Sequence, residues 1–208
     1  TCAGTGVTLT AGGTGTSYLW STGETASSIF VNPAATTNYT LVTYNAQGCP
    51  SGQAVHTLTV NPVPTASITG PTIACKNASV TLTAAGGTSY LWSTGETTQS
   101  ITPTITNNIT YTVTVTDNKG CTATTNHAVT VIPESVINIS GDLDICVGET
   151  TTLTASGVPS GTYLWSNGQG GASITVSPAS ETTYTVTATD GNGCQSTEFV
   201  TVKVNPLP

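Results

Sequence analysis

Along most of this chain apolar and polar residues alternate in short runs, each closed by a Gly, Pro, Asn or Asp turn. Val80-Thr81-Leu82-Thr83-Ala84 sets apolar letters against threonine, and Tyr111-Thr112-Val113-Thr114-Val115-Thr116 does the same. Successive side chains of a strand point to opposite faces, so this period of two predicts half-buried strands. No apolar spacing of three and four persists for two turns, and no helix is expected. Between Pro62 and Ile132 the order is a first strand split by Gly70-Pro71 into Thr65–Thr69 and Thr72–Cys75, then Val80–Ala84, then Tyr90-Leu91-Trp92. A short strand at Ser100–Thr102, the run from Tyr111, and Ala128–Val131 complete it. Six or seven short strands with turn signals every eight to twelve residues predict a small antiparallel β-sandwich.

The whole pattern is written three times. Thr16–Thr25 and Thr88–Thr97 share the ten letters TSYLWSTGET, and Thr162–Gly168 is a worn copy. The tryptophans Trp20, Trp92 and Trp165 stand 72 and 73 residues apart, which sets the structural unit at about that length. The predicted boundaries are 1–61, 62–132 and 133–208. Asn61-Pro62-Val63-Pro64, Ile132-Pro133 and Asn205-Pro206-Leu207-Pro208 close the units. Proline lacks the N–H and fixes φ, so it ends pairing and stiffens a junction. The first unit departs from the others: it opens at Thr1-Cys2 and has no counterpart of Pro64–Ala74. Either the chain is a window from a longer array or something else supplies that strand, since a bare sheet edge is a liability.

Composition narrows the function. Only 6% of residues are charged, while about a fifth are threonine, yet the regular alternation is one that disordered chains lack. Three lysines, no arginine and a net charge of −7 argue against nucleic acid or an anionic membrane surface as partner. No apolar run is long enough to insert in a membrane. With neither initiating Met nor signal peptide, the chain reads as a mature or excised piece.

The pattern Cys-x(4)-Val-Thr-Leu-Thr-Ala, Tyr-Leu-Trp-Ser-Thr-Gly, Tyr-Thr-Val-Thr-Val-Thr-Asp-x-x-Gly-Cys, Val-Thr-Val-x-Pro resembles tandem immunoglobulin-like domains of bacterial surface proteins. It is similar to the repeats of PKD-like and gliding-adhesin-type arrays. The resemblance covers the whole chain and implies an extracellular or cell-surface stalk, adhesin or filament rather than an enzyme. On this reading the fold is three tandem immunoglobulin-like β-sandwiches in a head-to-tail rod. The middle unit departs from it at Pro103, where the others have Val31 and Val176, and a shortened fifth strand is expected there.

An antibody-type sandwich packs a tryptophan on a disulfide between its sheets. Here those slots hold Leu82 and Val113, so Trp92 is expected to pack among Leu82, Ile101, Tyr111 and Val113, as a core anchor rather than a sugar platform. The cysteines lie just before the second strand (Cys2, Cys75, Cys146) and just after the sixth (Cys49, Cys121, Cys194). Their even count and spacing, without Cys-x-x-Cys, indicate disulfides and an oxidising compartment rather than zinc. Pairing within a unit joins residues 46–48 apart. With immunoglobulin-like strand directions those two positions lie at opposite poles, about 20 Å apart at about 3.3 Å per residue. A disulfide tolerates Cα atoms only about 4.4–6.8 Å apart. Pairing across unit junctions, Cys2–Cys121 and Cys75–Cys194, is the alternative this favours. It leaves Cys49 and Cys146 to bond on successive copies.

Other candidates for chemistry are weaker. His56 and His127 occupy one position of the last strand, where the third unit has Val200, which is unlike a catalytic base or metal ligand. No metal or other cofactor is expected beyond weak Ca²⁺ binding at Asp142-Leu143-Asp144 or in the turns Asp117–Gly120 and Asp190–Gly193, since these lack the oxygen density of a tight site. Threonine rows would need a flat array to bind ice, and sandwiches twist. Asn38, Asn77, Asn108 and Asn138 stand in Asn-x-Ser/Thr sequons, candidates for glycans. No Ser/His/Asp arrangement, phosphate loop or basic stripe is present. The expected role is a subunit or segment of an extracellular filament, a head-to-tail homopolymer of this chain. The alternative is the stalk of a cell-surface adhesin whose binding tip lies outside this chain.

Overall fold

Alternating threonine and aliphatic runs become strands wherever their apolar letters can face inward, and in the computed structural model, which describes residues 1–208, they form 21 strands and no helix. The first repeat holds β1 (Val7–Thr10), β2 (Ser17–Trp20), β3 (Ser28–Val31), β4 (Thr37–Tyr44) and β5 (Ala54–Leu58). The middle repeat holds β6 (Ser67–Thr69), β7 (Ile73–Cys75), β8 (Ala78–Ser79), β9 (Leu82–Ala85), β10 (Ser89–Trp92), β11 (Ser100–Ile101), β12 (Thr104–Ile105), β13 (Ile109–Thr116) and β14 (Thr122–Ile132). The third holds β15 (Asn138–Ser140), β16 (Asp144–Cys146), β17 (Thr151–Ser156), β18 (Thr162–Trp165), β19 (Ser173–Val176), β20 (Thr182–Thr189) and β21 (Gln195–Asn205).

Packing density divides the chain into two compact units that do not follow the repeats. One comprises Thr1–Thr72, Val80–Pro103 and Thr110–Ala128. The other comprises Ile73–Ser79, Thr104–Ile109 and Val129–Pro208. In the first unit, β2-β4-β5 form one sheet and β1-β3 another, and the middle repeat contributes β11-β9-β6. In the second, β15-β17-β19 and β16-β21-β20-β18 are the two faces of a complete sandwich. Its core is Leu153, Trp165, Ile174, Tyr184, Val186 and Val202 with their neighbours. The chain is therefore an all-β array of tandem immunoglobulin-like sandwiches.

The split first strand serves both sheets. In the third repeat β15 pairs antiparallel with β17, while β16 crosses over to pair in parallel with the end of β21. In the middle repeat β6 pairs with β9 and β7 with Thr130–Ile132 of β14 in the same two senses. Glycine makes the crossover possible. Gly70 and Gly141 have φ of 157° and 150°, and a Cβ there would come within 2.7 and 2.5 Å of the carbonyl oxygens of Thr81 and Thr152. Proline acts as expected in the middle repeat: the fifth strand, four residues long in β3 and β19, breaks at Pro103 into β11 and β12, two residues each.

Candidate functional site

Four letters of the repeated Tyr-Leu-Trp-Ser-Thr-Gly run, its tyrosine, tryptophan, serine and glycine, have a local task. Trp20, Trp92 and Trp165 are buried, at 5%, 2% and 2% exposure. Their indole N–H groups donate to the carbonyls of Ala26, Thr98 and Gly171 at 2.9, 2.9 and 3.0 Å, so the one polar atom of each ring is satisfied inside. The tyrosine hydroxyls of Tyr18 and Tyr90 reach back to the carbonyls of Gly15 and Gly87 and lock the entering turn. The serine after each tryptophan takes a backbone N–H onto its Oγ: Thr40 to Ser21, Thr112 to Ser93 and Thr185 to Ser166. The glycines Gly23, Gly95 and Gly168 close the turn, each donating its N–H to the tryptophan carbonyl at 2.9 Å with φ between 84° and 94°. The leucine is different: Leu19, Leu91 and Leu164 are all exposed, and nothing in the structure explains them.

The tryptophans sit among the same companions. The first repeat gathers Leu9, Trp20, Ile29, Tyr39 and Leu41 into one core, and the third gathers Leu153, Trp165, Ile174, Tyr184 and Val186. In the middle repeat the equivalent Leu82, Trp92, Ile101, Tyr111 and Val113 are all buried. Burial, and secondarily the Glu96 carboxylate, hold the Tyr111 phenol above its ordinary value of 10.0. A raised folded value stabilises the fold fully below the unfolded value and ceases to do so as pH rises through the folded one. Stability against urea is therefore expected to fall progressively above pH 10, and Tyr111→Phe to flatten that part of the profile. An unchanged slope in the variant would remove Tyr111 as the cause.

Four cysteines are bonded and two are free. Cys2 joins Cys121, and Cys75 joins Cys194, each across 119 residues of chain with Cα atoms 5.6 and 5.5 Å apart. Each bond thus takes the cysteine before the second strand of one repeat to the cysteine after the sixth strand of the next. The sixth-strand cysteines are presented by a common turn. Asp117 Oδ1 accepts N–H groups from Lys119 and Cys121, and Asp190 Oδ1 accepts them from Asn192 and Cys194, all at 2.8 Å. Asn45 does the same for Gln47 and Cys49. The Cys194 N–H is the main cause that holds the Asp190 carboxyl below its usual value; desolvation opposes it, and hydrogen bonds from Asn192 and Gly193 add to the lowering. Bonded Cys121 and Cys194 are buried, whereas free Cys49 is exposed and free Cys146 is half-buried beside Glu149, whose carboxylate accepts its N–H.

The remaining sequence candidates are not brought together. The Asp117 and Asp190 carboxylates are occupied by their turns. Asp144 pairs with Lys203 at 3.5 Å and with the Asn205 amide, while Asp142 caps the Asp144 N–H. No three His, Cys, Asp or Glu side chains converge on one point. His127 Nε2 lies 3.0 Å from the Pro71 carbonyl, in the crossover between β6 and β7. Asn38, Asn77, Asn108 and Asn138 are all exposed, with the Asn38 carbonyl oxygen bonded by Thr57 and that of Asn108 by the Val131 N–H.

No family model matches the chain, and no curated protein matches its sequence. Among solved structures it is similar to a Ca²⁺-stabilised adhesin by which an Antarctic bacterium reaches out and binds ice, at 16% identity over 99% of this chain and 70% of that one, with a TM-score of 0.42. It is also similar to three N-terminal domains of the outer capsid protein Hoc of bacteriophage RB49, at 17% identity over 100% and 96%, TM-score 0.38. Extracellular domains 3–5 of Drosophila OTK match at 12% identity over 98% and 92%, TM-score 0.34.

Proposed function

We propose that this chain is a structural segment of an extracellular filament, built by head-to-tail joining of copies through Cys49 and Cys146. The disulfide pattern carries the reading. Cys2 and Cys75 each bond the sixth-strand cysteine of the following repeat, and Cys146 is their equivalent in the third repeat. Cys49 is the equivalent of Cys121 and Cys194 in the first. The rule that pairs the internal cysteines therefore pairs Cys146 of one copy with Cys49 of the next. Paired cysteines imply an oxidising, extracellular setting. The role is mechanical: sandwiches resist shear, and covalent staples carry tension from repeat to repeat.

Purified under oxidising conditions, the chain is expected to run as a ladder on a non-reducing gel and to form long uniform fibres in electron micrographs. Reductant, or Cys49→Ser alone, should collapse the ladder to a single band. A chain that stays monomeric with both thiols titratable would defeat this reading. Short monodisperse particles of that kind would instead support the stalk of a surface adhesin, for which the same disulfide-stapled array serves equally well.

A further inference from the structure

Three copies of one turn, each following the cysteine before a second strand, carry different side chains. After Cys2 and Cys146 come Ala3-Gly4 and Val147-Gly148, whereas after Cys75 come Lys76-Asn77. Gly4 and Gly148 take φ of 78° and 90°, and Asn77 takes 63°, so the middle repeat holds an amide where its sisters have no side chain. The segment before the tyrosine strand differs in the same sense. Thr106-Asn107-Asn108 stands where the first repeat has Ala34-Ala35-Thr36 and the third has Ala179-Ser180-Glu181.

Folding brings these two segments together within the second compact unit. Lys76, Thr106, Asn107, Asn108, Val131 and Pro133 line a cleft of about 530 Å³. Lys76 and Pro133 also border a smaller hollow beside the Cys75–Cys194 bond, which Asn77, Glu134 and Gln195 share. The polar groups of the cleft are open to a ligand. Asn108 Oδ1 accepts the Val131 N–H at 2.8 Å, as Thr36 Oγ1 accepts that of Val60, and both hydrogens of the Asn108 amide stay free. Asn107 Nδ2 donates to Thr106 Oγ1, which leaves its carbonyl oxygen as an acceptor. The one ion pair of the chain joins Lys203 to Asp144, so the Lys76 ammonium has no acidic partner.

We propose that this cleft binds a saccharide bearing a single carboxylate. The Lys76 ammonium pairs with the carboxylate, the Asn107 and Asn108 amides meet ring hydroxyls, and Val131 and Pro133 offer apolar surface to the C–H face of the ring. A concave site with apolar walls and a few convergent polar groups is the usual form of a small-ligand site. A sugar fits it better than an acidic side chain does. Each sugar hydroxyl both donates and accepts, matching the free Asn108 donor and the free Asn107 acceptor, whereas a carboxylate only accepts. The net charge of −7 disfavours a polyanion that would span several acids. Fields between exposed charges fade over about 8–10 Å at ordinary ionic strength, so for a single charge Lys76 is the nearest voice, with Glu134 in the adjoining hollow. The proposal does not rest on the filament reading.

The test uses the 208-residue chain carrying Cys49→Ser and Cys146→Ser, made in a host that attaches no N-glycans, so that neither polymerisation nor a sugar on Asn77 or Asn108 intervenes. The probes are methyl glucuronide and sialyllactose, added at millimolar concentration to isotope-labelled protein. Both are expected to shift the amide signals of Lys76, Asn107, Asn108 and Val131 and to leave those of Ala3, Ala35, Val147 and Ser180 in place. Lys76→Ala with Asn107→Ala, which installs the first repeat's letters, should weaken binding about fivefold, the upper range for one exposed ion pair, with an unchanged melt. Lys76→Gln alone, which keeps the stem, should show most of that loss. Methyl glucoside, which has no carboxylate, should bind correspondingly weaker than methyl glucuronide. Absence of shifts at the cleft with both acidic sugars, or equal affinity in the variants, would overturn the proposal. So would equal binding of methyl glucoside, or binding of N-acetylglutamate amide as tight as that of methyl glucuronide, which would reduce the site to a lysine that meets any carboxylate.

Discussion

Replacing Trp92 with alanine is expected to destabilise the middle repeat by about 3–5 kcal/mol. Two losses combine. The indole is 2% exposed, and truncation leaves a cavity where its bulk was. The Thr98 carbonyl, which accepts the indole N–H at 2.9 Å, is left without that donor. Domains carry only about 5–15 kcal/mol of net stability, so the substitution removes a large part of what holds the middle repeat folded. Since an array need not melt as one unit, amide exchange along β13 is the measurement of choice, beside the thermal melt. Trp92→Phe, which keeps a ring but loses the N–H, should fall between wild type and alanine. A melt and an exchange pattern unchanged by Trp92→Ala would remove the tryptophan from the core.

Removing the Cys75–Cys194 bond by the double serine variant is expected to cost about 3–5 kcal/mol. The argument is the length of chain it closes: 119 residues separate the partners, and the entropy withdrawn from the unfolded ensemble grows with the logarithm of that length. The loss should be seen as a lower unfolding midpoint in the double variant, and as a larger one in wild-type protein treated with reductant, which also opens Cys2–Cys121. A non-reducing digest of the untreated chain should release Cys2–Cys121 and Cys75–Cys194 linked peptides. Linked peptides joining Cys75 to Cys121, or a midpoint indifferent to reduction, would contradict the pairing and its energetic role together.

Much of this architecture is written locally. The period of two in Val80–Ala84 and Tyr111–Thr116 is legible because a strand turns each successive residue to the opposite face. The thrice-written tryptophan run marks the repeat because its tyrosine, tryptophan, serine and glycine all act within one turn and one neighbouring strand. Pro103 breaking the fifth strand, and Gly70-Pro71 splitting the first, follow from what single residues allow the backbone.

Other features were decided only when the chain folded. Spacing alone leaves the cysteines two pairings, and choosing between them requires knowing which strand ends meet, a long-range property. That the halves of the split strand join different sheets, one antiparallel and one parallel, cannot be read from Thr65–Cys75, because both halves alternate alike. Nor does the sequence show that Leu19, Leu91 and Leu164 face solvent beside buried tryptophans. Local patterning determined the strands, turns and repeat of this protein. Tertiary contact decided the partners, since burial depends on strands tens of positions apart and the disulfides join residues 119 positions apart.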